Sequence, residues 1–161
     1  MIVVSDTSPL NYLVLIDAVG ALPKLFDEVL VTPSVMSELS SLKTPPKVKQ
    51  WSNSPPAWLK VAAPSTRLPF TARLDAGEAD ALSLAKEMGI SHVLIDERRG
   101  RKVAIQEGLI PIPTLTILEE AAEDNLIHLP TAIASLRTTS IRIPNDLFDA
   151  ALARDALRRK P

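Results

Sequence analysis

Short apolar runs alternate with helix-like patterns along most of the chain. Residues 2–4, 29–31 and 92–95 each form a brief, mainly aliphatic run, which predicts three buried strands. Residues 110–112 predict a weaker fourth strand, and the proline at its centre favours the edge of a sheet. Strands that alternate with helices in this way indicate a parallel sheet with crossover connections.

Helical periodicity occupies most of the segments between these runs. The predicted helices span residues 9–19, 33–39, 76–88, 98–107, 115–125 and 144–160, the last of them a C-terminal tail with a basic end. Thr32 and Pro33 are typical of an N-cap followed by the first helical position, which supports a helix start there. The whole pattern predicts the α/β class, with a parallel central sheet between two helical layers.

Residues 43–73 differ from the rest of the chain because they contain six prolines. This density argues against a long helix and predicts an irregular surface insertion, with one possible edge strand at residues 58–62. Trp51 and Trp58 are expected to anchor the insertion to the core, and stacking on nucleic-acid bases is the alternative. Because the strand–helix pattern resumes afterwards, the sequence predicts a single domain over residues 1–161.

Composition narrows the chemistry that the chain can perform. Hydrophobic residues make up 46% and aromatic residues 4% of the sequence, so an aliphatic core between helices fits better than an aromatic-rich β-sandwich. The absence of cysteine excludes disulfides, thiolate zinc sites and cysteine catalysis. His92 and His128 lie far apart in the sequence, which disfavours a histidine-based site and leaves carboxylates as the candidate catalytic groups.

Charge and hydropathy restrict the partners and the compartment. Eighteen basic and 19 acidic side chains give a formal net charge of −1, so binding of nucleic acid would have to be local or mediated by metal ions. The first residues carry no basic segment before their apolar run, and no apolar stretch is long enough to span a bilayer. The sequence therefore predicts a cytoplasmic protein without membrane association.

Two aspartates follow predicted strands, and one glutamate borders a predicted helix. Asp6 comes just after residues 2–4 and Asp96 just after residues 92–95, and ligands bind beyond the carboxyl ends of parallel strands. Glu38 lies at the border of the buried side of its short helix. These acids are expected to converge, and the alternatives are helix capping for the aspartates and a solvated position for Glu38.

Glu78 lies at the start of the predicted helix over residues 76–88. It precedes the apolar positions of that helix by one and two turns, so its carboxylate is expected to face inward, toward the sheet. Those apolar positions are Leu82, Ala85 and Met88. Asp80 is rotated about 200° from Glu78, so its side chain is expected to face solvent. The alternative role for Glu78 is a capping box with Asp75.

Four carboxylates without histidine or cysteine constitute a set of hard oxygen ligands. Asp6, Glu38, Glu78 and Asp96 are the residues of this set. They predict a site for Mg²⁺ or Mn²⁺, which keep several waters and need few protein ligands. Such an ion lowers the pKa of a bound water and neutralises charge on a phosphate under attack. The set therefore also predicts a substrate that carries phosphate.

The segments around these acids resemble the motifs of PIN-domain nucleases, the fold of VapC-type toxins. The opening IVVSDTSPL around Asp6 resembles the first motif, PSVMSEL places Glu38 as the second acid, and LIDERR places Asp96 as the fourth. Glu78 stands at the spacing of the third acid. Residues 74–104 are most similar to the DUF3368-type subfamily, and the resemblance covers the chain up to about residue 125.

This resemblance carries expectations about fold, activity and partners. It implies a three-layer α/β/α PIN-like fold, metal-dependent ribonuclease activity on an RNA substrate, frequent homodimers and often a partner antitoxin. Ser8 matches a hydroxyl that accompanies the first acid, with an N-cap before Pro9 as the alternative role. Arg98 and Arg99 follow Asp96 closely and are candidates for binding substrate phosphates, with a solvated helix face as the alternative.

The carboxylates are compatible with three functional hypotheses. The leading one is a Mg²⁺- or Mn²⁺-dependent endoribonuclease, with the toxin of a type II toxin–antitoxin pair as its more specific form. The second is a PIN-like module that binds RNA or protein without cleavage, suggested by the near-neutral charge and by glutamate instead of aspartate at position 78. The third is a receiver-like phosphotransfer domain, although no lysine follows residues 110–112 where such a domain requires one.

Overall fold

Five strands form one sheet within residues 1–160, the part of the chain that the computed structural model describes. They are β1 (Ile2–Ser5), β2 (Glu28–Val31), β3 (Leu59–Val61), β4 (His92–Leu94) and β5 (Ile110–Ile112). The strands lie in the order β3-β2-β1-β4-β5, and every neighbouring pair is parallel. The two predicted edge strands, β3 and β5, are the edges of the sheet.

The register places β1 at the centre of the sheet. Val4 pairs with Leu30 of β2 on one side and with Val93 of β4 on the other. Successive side chains point to opposite faces of a strand, so Val3 packs in the core on one face and Val4 in the core on the other. Both are fully buried, which explains why the central strands are continuous apolar runs.

Helices cover both faces of the sheet. They are α1 (Thr7–Leu15), α2 (Leu22–Leu25), α3 (Pro33–Leu39), α4 (Pro46–Asn53), α5 (Ala76–Met88), α6 (Arg98–Gln106), α7 (Thr114–Glu123), α8 (Leu129–Leu136) and α9 (Asn145–Arg158), with 3₁₀ segments at Val19–Ala21 and Pro69–Thr71. α5 and α6 pack on the face of Val4, whereas α1, α7, α8 and α9 pack on the face of Val3. The predicted three-layer α/β/α fold with a parallel central sheet is confirmed. Within residues 1–160, no helix combines the length and the apolarity needed to cross a membrane.

Local capping fixes the start of the two helices that carry Glu38 and Glu78. Thr32 Oγ1 accepts a hydrogen bond from the Val35 N–H at 3.2 Å, so α3 starts where its cap predicted. The Asp75 carboxylate accepts a hydrogen bond from the Glu78 N–H at 2.9 Å and begins α5 in the same way. A side-chain oxygen thus satisfies an otherwise free N–H in the first turn of each helix.

The proline-rich insertion is more ordered than its composition predicted. Residues 46–53 form α4, because Pro46 occupies the first helical position, where a missing N–H is tolerated. Trp51 and Trp58 pack with their ring centroids 6.3 Å apart, and both contact the core on the face of Val3. The expectation of an irregular excursion is therefore wrong for this part, whereas the tryptophans do anchor the insertion.

The strand order also excludes one functional hypothesis. Receiver domains have the flavodoxin-like strand order 2-1-3-4-5. Here β2 and β3 both lie on one side of β1, and β4 and β5 lie on the other. The receiver-like interpretation is therefore wrong. Asp6 and Asp96 instead follow the neighbouring strands β1 and β4.

Candidate metal centre and substrate groove

Asp6 and Asp96 follow the two neighbouring strands at which the winding of the sheet reverses. From β1 the chain adds β2 and β3 on one side and then returns to place β4 on the other. The Asp6 N–H donates to the Leu94 carbonyl at 2.8 Å, so Asp6 continues the pairing of β1 with β4. A reversal of this kind leaves a crevice beyond the strand ends, where ligands bind in open parallel sheets. Both aspartates therefore lie beyond the carboxyl ends of the strands, at the same end of the sheet.

Glu38 approaches the same end of the sheet from α3. The Thr7 hydroxyl, at the start of α1, donates a hydrogen bond to the Glu38 carboxylate. The carboxylate also lies against Gly77 at the start of α5, where an added Cβ would come within 2.5 Å of Glu38 Oε1. The first turns of α1 and α5 therefore hold Glu38 between them, and the absence of a side chain at Gly77 leaves the room.

Glu78 lies in the first turn of α5 with only 5% of its surface exposed. On the opposite side stands Gly100 of α6, where an added Cβ would lie 3.6 Å from the Glu78 carboxyl carbon. Asp75 caps α5, and within residues 1–160 the Glu78 carboxylate makes no reciprocal hydrogen bond to the Asp75 N–H. The burial agrees with the predicted inward orientation of Glu78, and the capping-box alternative is only half realised.

Burial and mutual repulsion make two of these carboxylates weak acids. Burial, reinforced by nearby carboxylates, raises the pKa of Asp6 to about 8. Burial likewise raises the pKa of Glu78 to about 7. The charges of Asp75 and Glu38 contribute to both shifts, and that of Glu97 contributes to the second. Neighbouring carboxylates thus contribute to both shifts, and no positive charge is among their causes.

Asp96 is held differently from the other three predicted acids. Its two carboxylate oxygens accept hydrogen bonds from the Thr114 N–H at 2.8 Å and from the Thr114 hydroxyl at 2.7 Å, at the start of α7. Burial raises the pKa of Asp96, while Thr114 and the charge of Arg101 oppose the rise. Asp96 therefore ties the end of β4 to α7, whereas Asp6, Glu38 and Glu78 form the more closely interacting group.

The donor set matches a hard divalent cation in its chemistry. Asp6, Glu38 and Glu78 offer carboxylate oxygens, and within residues 1–160 no lysine or arginine forms an ion pair with them. Across the same residues, no three acidic or histidine side chains are already gathered as a metal-binding group. The Glu38 and Asp96 carboxylates accept hydrogen bonds from the hydroxyls of Thr7 and Thr114. Carboxylate oxygen and water are the ligands that Mg²⁺ and Mn²⁺ prefer.

An open groove of about 1280 Å³ leads away from Glu78 between α6 and the end of the insertion. Its charged lining consists of the acids Asp75, Glu78 and Glu97 and the bases Arg73, Arg98, Arg99 and Lys102. The Arg99 guanidinium donates to the Arg73 carbonyl at 3.4 Å and so links the two walls. The two arginines predicted to bind substrate therefore lie on the groove wall beside the acids.

The structure excludes helix capping, the alternative role considered for Ser8. α1 begins at Thr7, and Asp6 occupies the N-cap position, so Ser8 lies inside the first turn and cannot cap the helix. The hydroxyl that bonds to an acid of the site is that of Thr7. The expected contact of Ser8 with substrate stays a prediction.

The expectation that Asp80 faces solvent is wrong. Only 9% of its surface is exposed, because the Arg67 Nε donates to its carboxylate at 2.6 Å and the Ser34 hydroxyl donates to it as well. The Arg67 guanidinium holds the pKa of Asp80 below its usual range. The side of α5 opposite Glu78 is thus covered by α3 and the insertion.

Met88, expected in the apolar face of α5, is 53% exposed because it lies in the last turn of the helix.

A family comparison decides which class of protein carries this site. The family described as DUF3368, PIN domain, matches residues 2–156. The chain belongs to the DUF3368 family of PIN domains. PIN domains are generally nucleases, which are hydrolases, and they generally use divalent metals. No curated protein and no solved structure matched the chain.

This PIN-domain match extends past the predicted resemblance, which ended near residue 125. It includes all four predicted acids, the proline-rich insertion and most of α9. The predicted family is therefore confirmed. The insertion and most of the tail lie within the matched residues.

Sequence reasoning did not identify Thr7, Asp75 or Gly77 as parts of the site. Thr7 follows Asp6 directly, but nothing in its position shows that its hydroxyl reaches α3. The available signal was Gly77, because glycine in a helical turn costs about 1 kcal/mol relative to alanine and needs a packing reason. That reason is the close approach of Glu38.

Proposed function

We propose that this PIN domain is a Mg²⁺- or Mn²⁺-dependent endoribonuclease that hydrolyses phosphodiester bonds in RNA. The proposal rests on Asp6, a buried carboxylate whose pKa is raised to about 8 in the company of Glu38 and Glu78. Gathering buried negative charges is unfavourable unless a proton or a cation compensates them. Membership of the PIN-domain family makes a cation the better explanation.

Asp6, Glu38 and Glu78 would hold the metal, with Asp96 as a fourth ligand. A bound divalent ion supplies a water of lowered pKa and offsets charge on the phosphate. The Thr7 hydroxyl keeps the Glu38 carboxylate directed into the pocket. Thr114 orients the Asp96 carboxylate through both of its oxygens.

Substrate positioning falls to the groove. Arg98 and Arg99 begin α6 directly after Glu97, and both are exposed on the groove wall. Their guanidinium groups can pair with phosphate oxygens on either side of the bond to be cleaved. This local concentration of basic residues supplies the attraction that a chain with a net charge of −1 lacks as a whole.

Cleavage of a labelled oligoribonucleotide by the purified chain tests this proposal. Activity is expected with Mg²⁺ or Mn²⁺ and is expected to disappear with EDTA. Asp6→Asn and Glu78→Gln should each reduce the rate by about 100-fold or more, because each removes a charge that holds the metal. Asp124→Asn, at the exposed end of α7, is the matched control and should cleave like the wild type. Equal cleavage by Asp6→Asn and the wild type would overturn the proposal.

A PIN-like module that binds RNA or protein without cleavage is the second candidate. It is favoured by Asp96, because Thr114 already engages both oxygens of this carboxylate, which would leave three acids for the metal. In this alternative, calorimetry would show RNA binding, and no divalent metal would give turnover. Metal-dependent turnover that is lost in Asp96→Asn would exclude it.

A toxin role, an antitoxin partner and a homodimer are further proposals, supported by the resemblance to VapC-type toxins. Expression of the wild-type chain should then arrest growth, and co-expression of a small neighbouring reading frame should relieve the arrest. Asp6→Asn should not arrest growth. Light scattering on the purified chain would test the dimer. Normal growth on expression of the active wild type would contradict the toxin role.

A further inference from the structure

A second cavity lies at the far end of α7 from the candidate metal centre. Arg154 of α9 pairs with Glu119 of α7 at 2.8 Å. One turn further along both helices, Arg158 lies 3.6 Å from Glu123, so α7 and α9 run in the same direction. α7 spans ten residues and begins beside Asp96, which places its other end about 15 Å away. The cavity at that end is therefore separate from the acids that would hold a metal.

This cavity, which we call the α7–α9 cavity, opens between the ends of α7 and α9 and the start of α8. Its volume of about 700 Å³ is typical of small-molecule sites. Leu126, which is 38% exposed, and Ile127 contribute apolar surface. Besides His128, the titratable lining consists of Glu123, Asp155, Arg158 and Arg159. The two carboxylates and the two guanidinium groups balance in formal charge, so the cavity as a whole favours neither an anion nor a cation.

A buried acid fixes the two arginines of this cavity. Asp155 is only 3% exposed, and its carboxylate accepts hydrogen bonds from Arg158 Nη2 at 3.1 Å and from Arg159 Nε at 2.8 Å. Within residues 1–160, neither terminal nitrogen of Arg159 donates to another group. The helix dipole explains basic residues at the end of α9, but it does not require a buried acid beside them. Arg159 is thus held by one edge, and its two terminal N–H groups are left to bind a planar carboxylate.

Glu123 presents the opposite charge on the α7 side of the same cavity. Its Oε1 lies 3.6 Å from Arg158 Nη1, which is too far for a hydrogen bond. Within residues 1–160 its carboxylate accepts no other hydrogen bond, and its side chain is 55% exposed. A simple anion would be repelled by Glu123, and a simple cation would be repelled by Arg159. A ligand that carries both charges can pair with both groups.

We infer that the α7–α9 cavity binds an apolar α-amino acid. The Arg159 guanidinium pairs with the carboxylate of the ligand, and the Glu123 carboxylate accepts hydrogen bonds from its ammonium group. The side chain of the ligand packs against the apolar surface of Leu126 and Ile127. The inference does not rest on the proposed ribonuclease activity, because none of these residues belongs to the acidic site.

Isothermal titration calorimetry of the metal-free chain with leucine, methionine and phenylalanine tests the inference. At least one of them should bind, and alanine should bind more weakly because it lacks the apolar contact. The amide of the tightest ligand lacks the carboxylate, and its N-acetyl derivative lacks the ammonium group. Each derivative should bind about 10- to 150-fold more weakly, because each loses a hydrogen-bonded charge pair.

Two variants assign each charge of the ligand to its partner. Arg159→Ala should weaken binding of the amino acid by the same factor and should remove the difference between the amino acid and its amide. Glu123→Gln should remove the difference between the amino acid and its N-acetyl derivative. Arg158 still pairs with Asp155 in Arg159→Ala, so this variant should fold, and its unfolding temperature checks that it does.

Arg154→Ala is the matched control, because Arg154 lies on the same helix and pairs with an acid of α7 but does not line the cavity. It should bind the amino acid like the wild type. Absence of binding by all three amino acids, equal binding of the amino acid and its amide, or equal effects of Arg154→Ala and Arg159→Ala would overturn the inference. Asp6→Asn should bind the amino acid like the wild type, so the outcome is independent of any cleavage of RNA.

Discussion

At Gly77 the backbone of α5 approaches the Glu38 carboxylate so closely that an added Cβ would come within 2.5 Å of Glu38 Oε1. The carboxylate is held there by the Thr7 hydroxyl on its other side. Glycine is a poor residue for a helical turn, so helix formation does not explain its presence. The close approach of the Glu38 carboxylate therefore explains the glycine at position 77.

Gly77→Ala is therefore expected to separate activity from stability. The methyl group should push the flexible end of Glu38 away from Thr7 and lower metal-dependent cleavage by about 10- to 100-fold. Thermal unfolding in EDTA should occur at the same temperature or slightly higher, because alanine is the better helix former. The measurements are cleavage rates over a range of Mn²⁺ concentrations and the unfolding temperature.

Gly20→Ala is the control for this substitution, since an added Cβ at Gly20 meets no atom within 4 Å. It should retain the cleavage rate of the wild type at every Mn²⁺ concentration. If Gly77→Ala cleaves as fast as Gly20→Ala, the position of Glu38 has no bearing on the metal.

Whether an element could be predicted depended on how local its determinants are. α3 and α5 start at Thr32 and Asp75, whose side chains cap them, and this information lies within a few residues. α4 and α8 span eight residues each and gain their stability by packing against other helices. In a segment of eight residues, a helical pattern of apolar positions is too short to be distinguished from chance. These two helices could therefore not be predicted without knowing what they pack against.

The same distinction between local and long-range determinants applies to the residues of the candidate site. The positions of Asp6 and Asp96 could be predicted, because any parallel sheet brings the ends of neighbouring strands together. The contact of Thr7 with Glu38 joins α1 to α3 and depends on how those helices dock. The burial of Asp80 depends on the path of the insertion, which the helical periodicity of α5 does not contain.

The tail helix α9 provides a test at the scale of an element. Phe148 is 3% exposed, packs in the core on the face of Val3 and lies under the Arg137 guanidinium, 4.4 Å from its ring centroid. Phe148→Ala should lower the free energy of unfolding by about 3–5 kcal/mol. Leu147→Ala, next to it and 50% exposed, should change that energy by no more than about 0.5 kcal/mol. Urea denaturation of both variants measures the difference, and equal stabilities would show that α9 is not part of the folded core.

At the scale of the whole molecule, the net charge of −1 conceals an uneven distribution. The acids lie where the winding of the sheet reverses, and the bases Arg98, Arg99 and Lys102 follow on α6, directly after Glu97. Asp6 and Glu78 have raised pKa values in the folded chain, so folding without a metal leaves them partly protonated. The raised pKa values lower the free energy of unfolding of the metal-free chain, and a bound cation would offset this loss.

Stability without metal should therefore fall as pH rises. Unfolded aspartate releases its proton near pH 3.8, whereas Asp6 in the folded chain holds its proton up to a pKa of about 8. Between these values the folded state binds more protons than the unfolded state, so the free energy of unfolding decreases with rising pH. From pH 6 to pH 8 in EDTA, urea denaturation should show a decrease of roughly 2 kcal/mol from Asp6 and roughly 1 kcal/mol from Glu78, whose pKa is about 7. Asp6→Asn should remove most of this decrease and should be more stable than the wild type at pH 8.

Mn²⁺ should reverse the decrease at pH 8, because the ion takes the place of the missing protons. At about 100 times its dissociation constant it should add about 2.7 kcal/mol, or roughly 5–10 °C in unfolding temperature. At pH 6 the same concentration should stabilise the wild type less, since protons on Asp6 and Glu78 compete with the metal. Asp6→Asn should respond weakly at either pH. A Mn²⁺ response that is independent of pH, or equal in Asp6→Asn, would place the binding of the ion away from these acids.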